Sequence, residues 1–376
     1  MIDVGNAADE GANAVVRTRD GGLVIAGYVE PEQIQDDNAV LMKLGPQGRQ
    51  IWRVEFGDDR EDRAYALAQA PDGGYAVAGQ FGGDNDQVSD AFLIKTDAQG
   101  KEQWRRVFDG PGHDLAMSVE AASDSGYLVG IQYDLFGDAR ASVAKTDANG
   151  VVLWQASAGD GTHLTRAAAT PDGGCVLAWW EVVPAELLGA QAGKVGILKV
   201  SASGAETWRK VHDIPVLAEV DDIRVANDGG YVLAGQYDLM SPDSKVMLWK
   251  TDAAGEIVWQ KTYDRGLRDA IHSVRPTRDG GYVLAGMIQA ARNHSDMLLM
   301  KTDATGTLLW ERAFGGEDTD EAFDVVETQI GYAIVGTGES FENDDQADNQ
   351  QIVAIKTDGQ GHCHNGEVAL PTPVGK

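Results

Sequence analysis

Cysteine is nearly absent from this chain: of 376 residues only Cys175 and Cys363 carry a thiol. Two distant cysteines make no disulfide framework, and neither CxxC nor the haem-type CxxCH spacing occurs. No run of eighteen apolar residues exists, so nothing here spans a membrane as a helix. Nor does a signal-type segment follow Met1. Positive charge is scarce, with 31 basic residues against 59 acidic ones and a net charge of −28. A field of that sign repels phosphate backbones and anionic headgroups, which argues against nucleic acid and the membrane surface as partners. It is compatible with a salt-rich or calcium-rich setting. Triad signatures, zinc spacings, phosphate loops and the EF-hand DxDxDG pattern are all missing.

Helical periodicity is missing as well, and a strict repeat stands in its place. "DGGYAVAGQ" (72–80) returns as "DSGYLVGIQ" (124–132), "DGGCVLAWW" (172–180), "DGGYVLAGQ" (228–236) and "DGGYVLAGM" (279–287). Worn copies stand at 20–28 and 330–338. A second phrase, "KTDAQGKEQW" at 95–104, opens seven times, at Lys43, Lys95, Lys145, Lys199, Lys250, Lys301 and Lys356. Its tryptophan follows six times, as Trp52, Trp104, Trp154, Trp208, Trp259 and Trp310. A chain this long exceeds one ordinary core unless the fold is repetitive, and the hydrophobic content of 43% is enough for a packed interior.

Inside each unit the hydrophobic period is two. Residues 64–70, Tyr75–Gln80, Ala91–Thr96 and Glu102–Phe108 read as four strands. Asp72-Gly73-Gly74 closes the first hairpin and Asp97-Ala98-Gln99-Gly100 the third, with Asp and Gly where tight turns need them. The pattern predicts an all-β fold: a seven-bladed β-propeller with four antiparallel strands per blade. It forms one domain over 1–376, in units of about 50 residues, with a strand or tail at 362–376. The tryptophan is expected to cover its own blade, and the lysine to neutralise a nearby acid.

The repeat begins in mid-unit. Val4-Gly5 aligns with Phe56-Gly57, and Asn365 falls where a seventh tryptophan would stand. One outer strand is therefore missing, and either Ile2–Gly5 or His362–Leu370 is expected to supply it and close the ring. A start in mid-repeat also suggests a longer natural chain with an export signal upstream.

With "DGGYVLAG", "KTDAxGxxxW" and "FGGxxxDxA" over residues 4 to about 361, the sequence resembles the repeat propellers of secreted and cell-surface proteins of bacteria and archaea. That resemblance implies export, an extracellular, periplasmic or cell-surface location, and a binding or adhesive role toward a glycan or protein partner. A more distant similarity is to quinoprotein propellers. Here the Gly-x-x-x-Trp spacing, seven units and no adjacent cysteine pair differ from that pattern, so quinone chemistry is not carried over.

Candidate chemistry falls in three places. An acid precedes the first strand as Glu10, Asp62, Asp114, Asp269 and Asp320, with Thr162 and Ala218 in the fourth and fifth units. Such carboxylates accept backbone N–H groups in loops; the sharper reading makes Asp62, Asp114, Asp269 and Asp320 oxygen ligands for calcium. Strand alternation points Ser118, Glu120, Arg166, Asp222, Arg224, Ser273, Arg275 and Asp324 toward the channel. They either pair with one another or bind a polar small molecule or glycan; Glu120, Asp222 and Asp324 are also the carboxylates a carbohydrate-active enzyme would use. In the fourth unit Trp179 and Trp180, beside the insertion 181–196, either stack on a sugar or cover the insertion and a short helix at 184–190. The acidic long loops at 56–65, 82–90, 315–324 and 341–350 mark the face expected to meet a ligand. In "GHCHNG" (361–366), three adjacent soft ligands on one strand do not face one metal, so no built site is expected there.

Overall fold

The computed structural model describes residues 2–3, 9–30, 37–57, 60–82, 88–183, 192–265, 268–291, 294–340 and 350–363. These form seven antiparallel sheets of four strands each, with no helix among them. Blade 2 shows the plan: Arg63–Gln69 innermost, then Tyr75–Gly82, Ser89–Thr96 and Glu102–Phe108 at the rim. Blade 7 takes Asp320–Glu327, Tyr332–Gly338 and Gln351–Lys356 from the C-terminal end and Ile2–Asp3 from the N-terminal end. Ile2 lies opposite Ala354 and Asp3 opposite Val353, so the N-terminal strand closes the ring. Of the 362–376 tail, residues from 364 onward lie outside the described residues, as does the 184–190 segment.

The tryptophans cover their own blade and reach across its boundary to the next one. Trp104 of blade 2 meets Tyr127 of blade 3 with ring centroids 5.9 Å apart, and the Trp52–Tyr75, Trp208–Tyr231, Trp259–Tyr282 and Trp310–Tyr332 pairs repeat the contact. Each ring also lies over the turn glycine of the next blade. Gly100 has φ +81°, and a Cβ on it would stand 2.9 Å from the Trp52 ring. Blade 7 has no tryptophan, and blade 1 carries Leu23 where most blades have tyrosine. The blade 3–4 junction lacks the pair too, because Cys175 stands at the tyrosine position and Trp154 instead donates to the Ala202 carbonyl at 3.0 Å.

The repeated lysine has a definite partner, the aspartate of its own blade's first turn. Lys95 reaches Asp72 at 2.8 Å, and Lys43–Asp20, Lys145–Asp124, Lys199–Asp172, Lys250–Asp228 and Lys301–Asp279 repeat the pair between 2.6 and 3.0 Å. The lysine also donates to the backbone at the strand end, as Lys95 does to the Thr96 carbonyl at 2.7 Å. In blade 7 the acid is missing, and Lys356 donates instead to the Pro46 carbonyl at 3.0 Å.

These pairs set part of the pH response. Burial works against the Asp72 carboxylate, but the Lys95 hydrogen bond, the Gly74 amide and the Lys95 charge together outweigh it and hold Asp72 below its usual range; Asp124, Asp172, Asp228 and Asp279 are also depressed by their lysine and turn-glycine amide, with a threonine hydroxyl added at Asp172 and Asp279. Their stabilisation is present above pH about 4 and lost as pH falls through the lowered values. Asp114, Asp269 and Asp320 are pushed the other way, by burial, to about 6. What their protonation contributes is complete below pH about 4 and lost as pH rises through about 6. Thermal unfolding followed across pH should therefore peak between about 4 and about 6 and fall on both sides. A plateau extending through pH 8 would contradict this assignment.

Candidate functional site

Every innermost strand carries a bulge one turn of the pleat after it begins. Pairing skips Asn13, Tyr65, Met117, Asp221, His272 and Phe323, one per blade, and in blade 4 both Thr165 and Arg166. A bulge breaks the alternation of side chains and leaves a backbone N–H without its ladder partner. The preceding blade supplies the acceptor. Ser118 Oγ accepts from Ala167 N at 2.9 Å, Asp222 Oδ2 from Val274 N at 3.0 Å and Asp324 Oδ2 from Val15 N at 3.0 Å. Glu120 Oε2 likewise accepts from Ala169 N at 2.7 Å. These residues stitch neighbouring blades together at the channel wall.

Asp222 is the hub. It is fully buried and lies under three guanidiniums: Arg275 at 2.7 Å, Arg224 at 3.2 Å and Arg166 at 3.6 Å. Burial alone would raise its pKa, but Arg224, Arg166 and Arg275 together hold it low. Arg275 also reaches Asp324 at 2.5 Å, which ties blades 5, 6 and 7. Arg224 crosses to Glu120 of blade 3 at 2.7 Å. Asp222 and Asp324 are therefore occupied and covered, and Glu120 is shared between a guanidinium and a backbone donor.

Above this cluster lies a cavity of about 460 Å³, lined by Ala14–Arg17, Ala66–Gln69, Ser118–Ala121, Arg166, Arg224, Arg275, Asp324 and Val326. All belong to the C-terminal halves of the inner strands, so the cavity is at the channel end that carries the tight Asp-Gly-Gly turns. The long loops cross the other end, and their segments 58–59, 83–87 and 341–349 lie outside the described residues. Arg17 has no hydrogen bond or ion pair among the described residues, and Arg166 has only its long contact to Asp222. Four guanidiniums thus meet three carboxylates, a local positive excess inside a strongly acidic protein.

The other end of the channel carries a second charged group that alternation had hidden. His272 Nε2 sits 2.7 Å from Glu321, and its Nδ1 is 4.0 Å from Asp221. Burial opposes the imidazolium, but the bonds to Asp221 and Glu321 prevail and push His272 up to about 10. Glu219 nearby is raised by burial and by Asp221. Asp221, His272 and Glu321 were missed because only the bulge turns them toward one another.

The acids that open the inner strands are buried. Asp62 accepts from Gly82 N at 3.0 Å, Asp114 from Asp134 N at 2.9 Å, and Asp320 from Gly316 N and Ser340 N at 3.2 and 3.3 Å. Asp269 pairs with Arg265 at 3.1 Å and Glu10 with Arg53 at 2.9 Å. In blade 4 Thr162 Oγ1 takes the same role, accepting from Ala141 N at 2.9 Å.

Trp179 is 1% exposed. It occupies the position that is Gly79 in blade 2, and the strand opposite compensates: Trp179 faces Gly196 where Gly79 faces Phe92. Its Nε1 donates to Glu181 at 3.1 Å and Arg209 lies over the ring at 5.4 Å. No face of this indole is open to a ligand. Trp180 is half-buried and stacks on His163 at 4.4 Å. Cys175 is a buried free thiol.

No protein-family model matches this chain, and no curated protein matches it in sequence. Among solved structures it is similar to a PL25 polysaccharide lyase, an ulvan lyase solved with a -[GlcA(1-4)Rha3S]- saccharide, at TM-score 0.60 and 7% identity over 96% of both chains. It is also similar to the extracellular domains 1–2 of Drosophila Semaphorin 1a, at TM-score 0.53 and 10% identity over 97% of this chain and 89% of that one. The β-propeller domain of the Trilobed protease from Pyrococcus furiosus, described as having an open velcro topology, matches at TM-score 0.50 and 11% identity, covering 88% and 91%. At such identities the shared property is the propeller fold. Neither the surface-repeat family nor the quinoproteins are shown by a sequence match.

Proposed function

We propose that this protein is an exported, non-catalytic binding module that takes the acidic end of a glycan into the arginine-lined channel cavity. The observation that carries the reading is the pair Arg17 and Arg166, which line a cavity of about 460 Å³ and have few protein acceptors among the described residues. Guanidinium groups favour carboxylate and sulfate oxygens through paired charge-assisted hydrogen bonds. The global charge of −28 selects further: it repels dense polyanions at long range but leaves a short saccharide with one isolated uronate or sulfate free to enter. The ulvan lyase was solved with an acidic saccharide of this chemistry, which supports the ligand class. Adhesion or scaffolding at a surface would follow from such binding.

Titration calorimetry with short uronate or sulfated oligosaccharides tests this. Arg17→Ala and Arg166→Gln are expected to weaken binding at least about tenfold each, as loss of a charge-assisted contact does. Neutral oligosaccharides should bind no better to wild type than to the variants. Unchanged affinity in both variants would remove the cavity from the function. The alternative of a carbohydrate-active enzyme predicts product release from the same oligosaccharides, abolished in Glu120→Gln. The ion pair of Glu120 with Arg224 argues against it.

A further inference from the structure

Blade junctions bring a polar side chain at the start of one blade's third strand near the acid that opens the next blade. Between blades 1 and 2 the pair is Asn38 and Asp62, an amide with an acid: a Cβ on Gly57 would stand 2.8 Å from Asn38 Oδ1 and 3.0 Å from Asp62 Cγ. Between blades 5 and 6 it is Asp243 with Asp269, and there the chain supplies its own cation, Arg265, at 3.1 Å from Asp269. Between blades 6 and 7 it is Asp296 with Asp320, at 2% and 0% exposure. No guanidinium or ammonium pairs with either one among the described residues. The His294 imidazole acts on Asp296 through its field and donates no hydrogen bond to it.

The two carboxylates converge on one point. A Cβ on Gly315 would fall against Asp296 Oδ1 and 2.5 Å from Asp320 Oδ2. Glycine keeps that point open. Asp320 spends acceptor capacity on the Gly316 and Ser340 amides, whereas buried Asp296 Oδ1 has no hydrogen-bond partner among the described residues. An ionised oxygen buried without a donor is costly unless a cation supplies the missing charge. At the blade 5–6 junction Arg265 supplies that charge; at the blade 6–7 junction no side-chain cation does so among the described residues.

We propose that the Asp296–Asp320 pair binds a hard divalent cation of the calcium type, which joins blade 6 to blade 7. Calcium takes six to eight oxygens, so backbone carbonyls, the Ser295 and Ser340 hydroxyls and water complete the shell around the two acids. With two carboxylates the affinity belongs to the weak class, Kd about 10⁻⁴–10⁻³ M. The consequence is mechanical. Among the described residues the outer strand of blade 7 is Ile2–Asp3, and the ion would strengthen the blade's other edge.

Thermal unfolding of the full chain at pH 7.5 and matched ionic strength tests the site, in EGTA, in about 10 mM calcium chloride and in about 10 mM magnesium chloride. Wild type is expected to gain about 2 °C or more in calcium. Asp296→Asn should lose that gain and, in EGTA, unfold no lower than wild type, because the amide removes the like-charge repulsion. Gly315→Ala places a methyl on the ion's position and should also abolish the response. A wild type indifferent to calcium overturns the proposal, and so does a full calcium response retained in either variant.

Discussion

Replacing Asp222 with alanine is expected to destabilise the propeller by about 3–5 kcal/mol, the range for removing one partner of a buried ion pair. The side chain is fully buried, and Arg166, Arg224 and Arg275 all converge on it. Without it three guanidiniums repel one another at the channel wall, with Asp324 and Glu120 left to balance them. Burial and Arg224 already hold Arg275 below its usual pKa, so the margin there is thin. The variant also removes the acceptor of the Val274 amide on the inner edge strand of blade 6. Urea unfolding of the full chain measures the loss. Asp222→Asn separates the two terms, since it keeps an acceptor for Val274 while removing the charge. A loss under about 1 kcal/mol in the alanine variant would show that the hub contributes no more than a surface pair.

Trp179→Ala is expected to cost a similar amount, about 3–5 kcal/mol, for a different reason. The indole fills the space opened by Gly196 and packs against blade 3 residues such as Leu128 and Val143. Trp180→Ala should cost clearly less, because that ring is half-buried and stacks only on His163. The comparison also decides the role of the double tryptophan. If Trp179→Ala left stability intact and abolished glycan binding, the aromatic pair would be a ligand platform; the packing requires the reverse. Urea unfolding and calorimetry on the same two variants give both readouts.

Much of the architecture was legible because its signals are local. Period-two strands, Asp-Gly-Gly turns and Asp-x-x-Gly turns each act within a few residues, and their sevenfold recurrence sets the number of blades. The candidate site was only half legible. Alternation placed Arg166, Arg224 and Arg275 at the channel, but it could not anticipate that Asp222 and Asp324 are buried stitches or that Arg17 shares their cavity. It also missed Asp221, His272 and Glu321. A bulge adds one residue to a strand and reverses the facing of what precedes it, and no pattern of apolar residues marks where that happens.

What the sequence by itself determined is the repeating unit: four strands, their turns, and their sevenfold recurrence. Tertiary structure decided everything that joins units. Trp104 meets Tyr127, Asp222 meets Val274, Asp324 meets Val15, and Ile2 meets Ala354. Those partners are tens to hundreds of residues apart, in units whose sequences are nearly interchangeable. A local pattern is therefore equally satisfied by several pairings. Only closure of the ring brings one particular copy against the next, and the channel, with its charges, exists only once that closure is made.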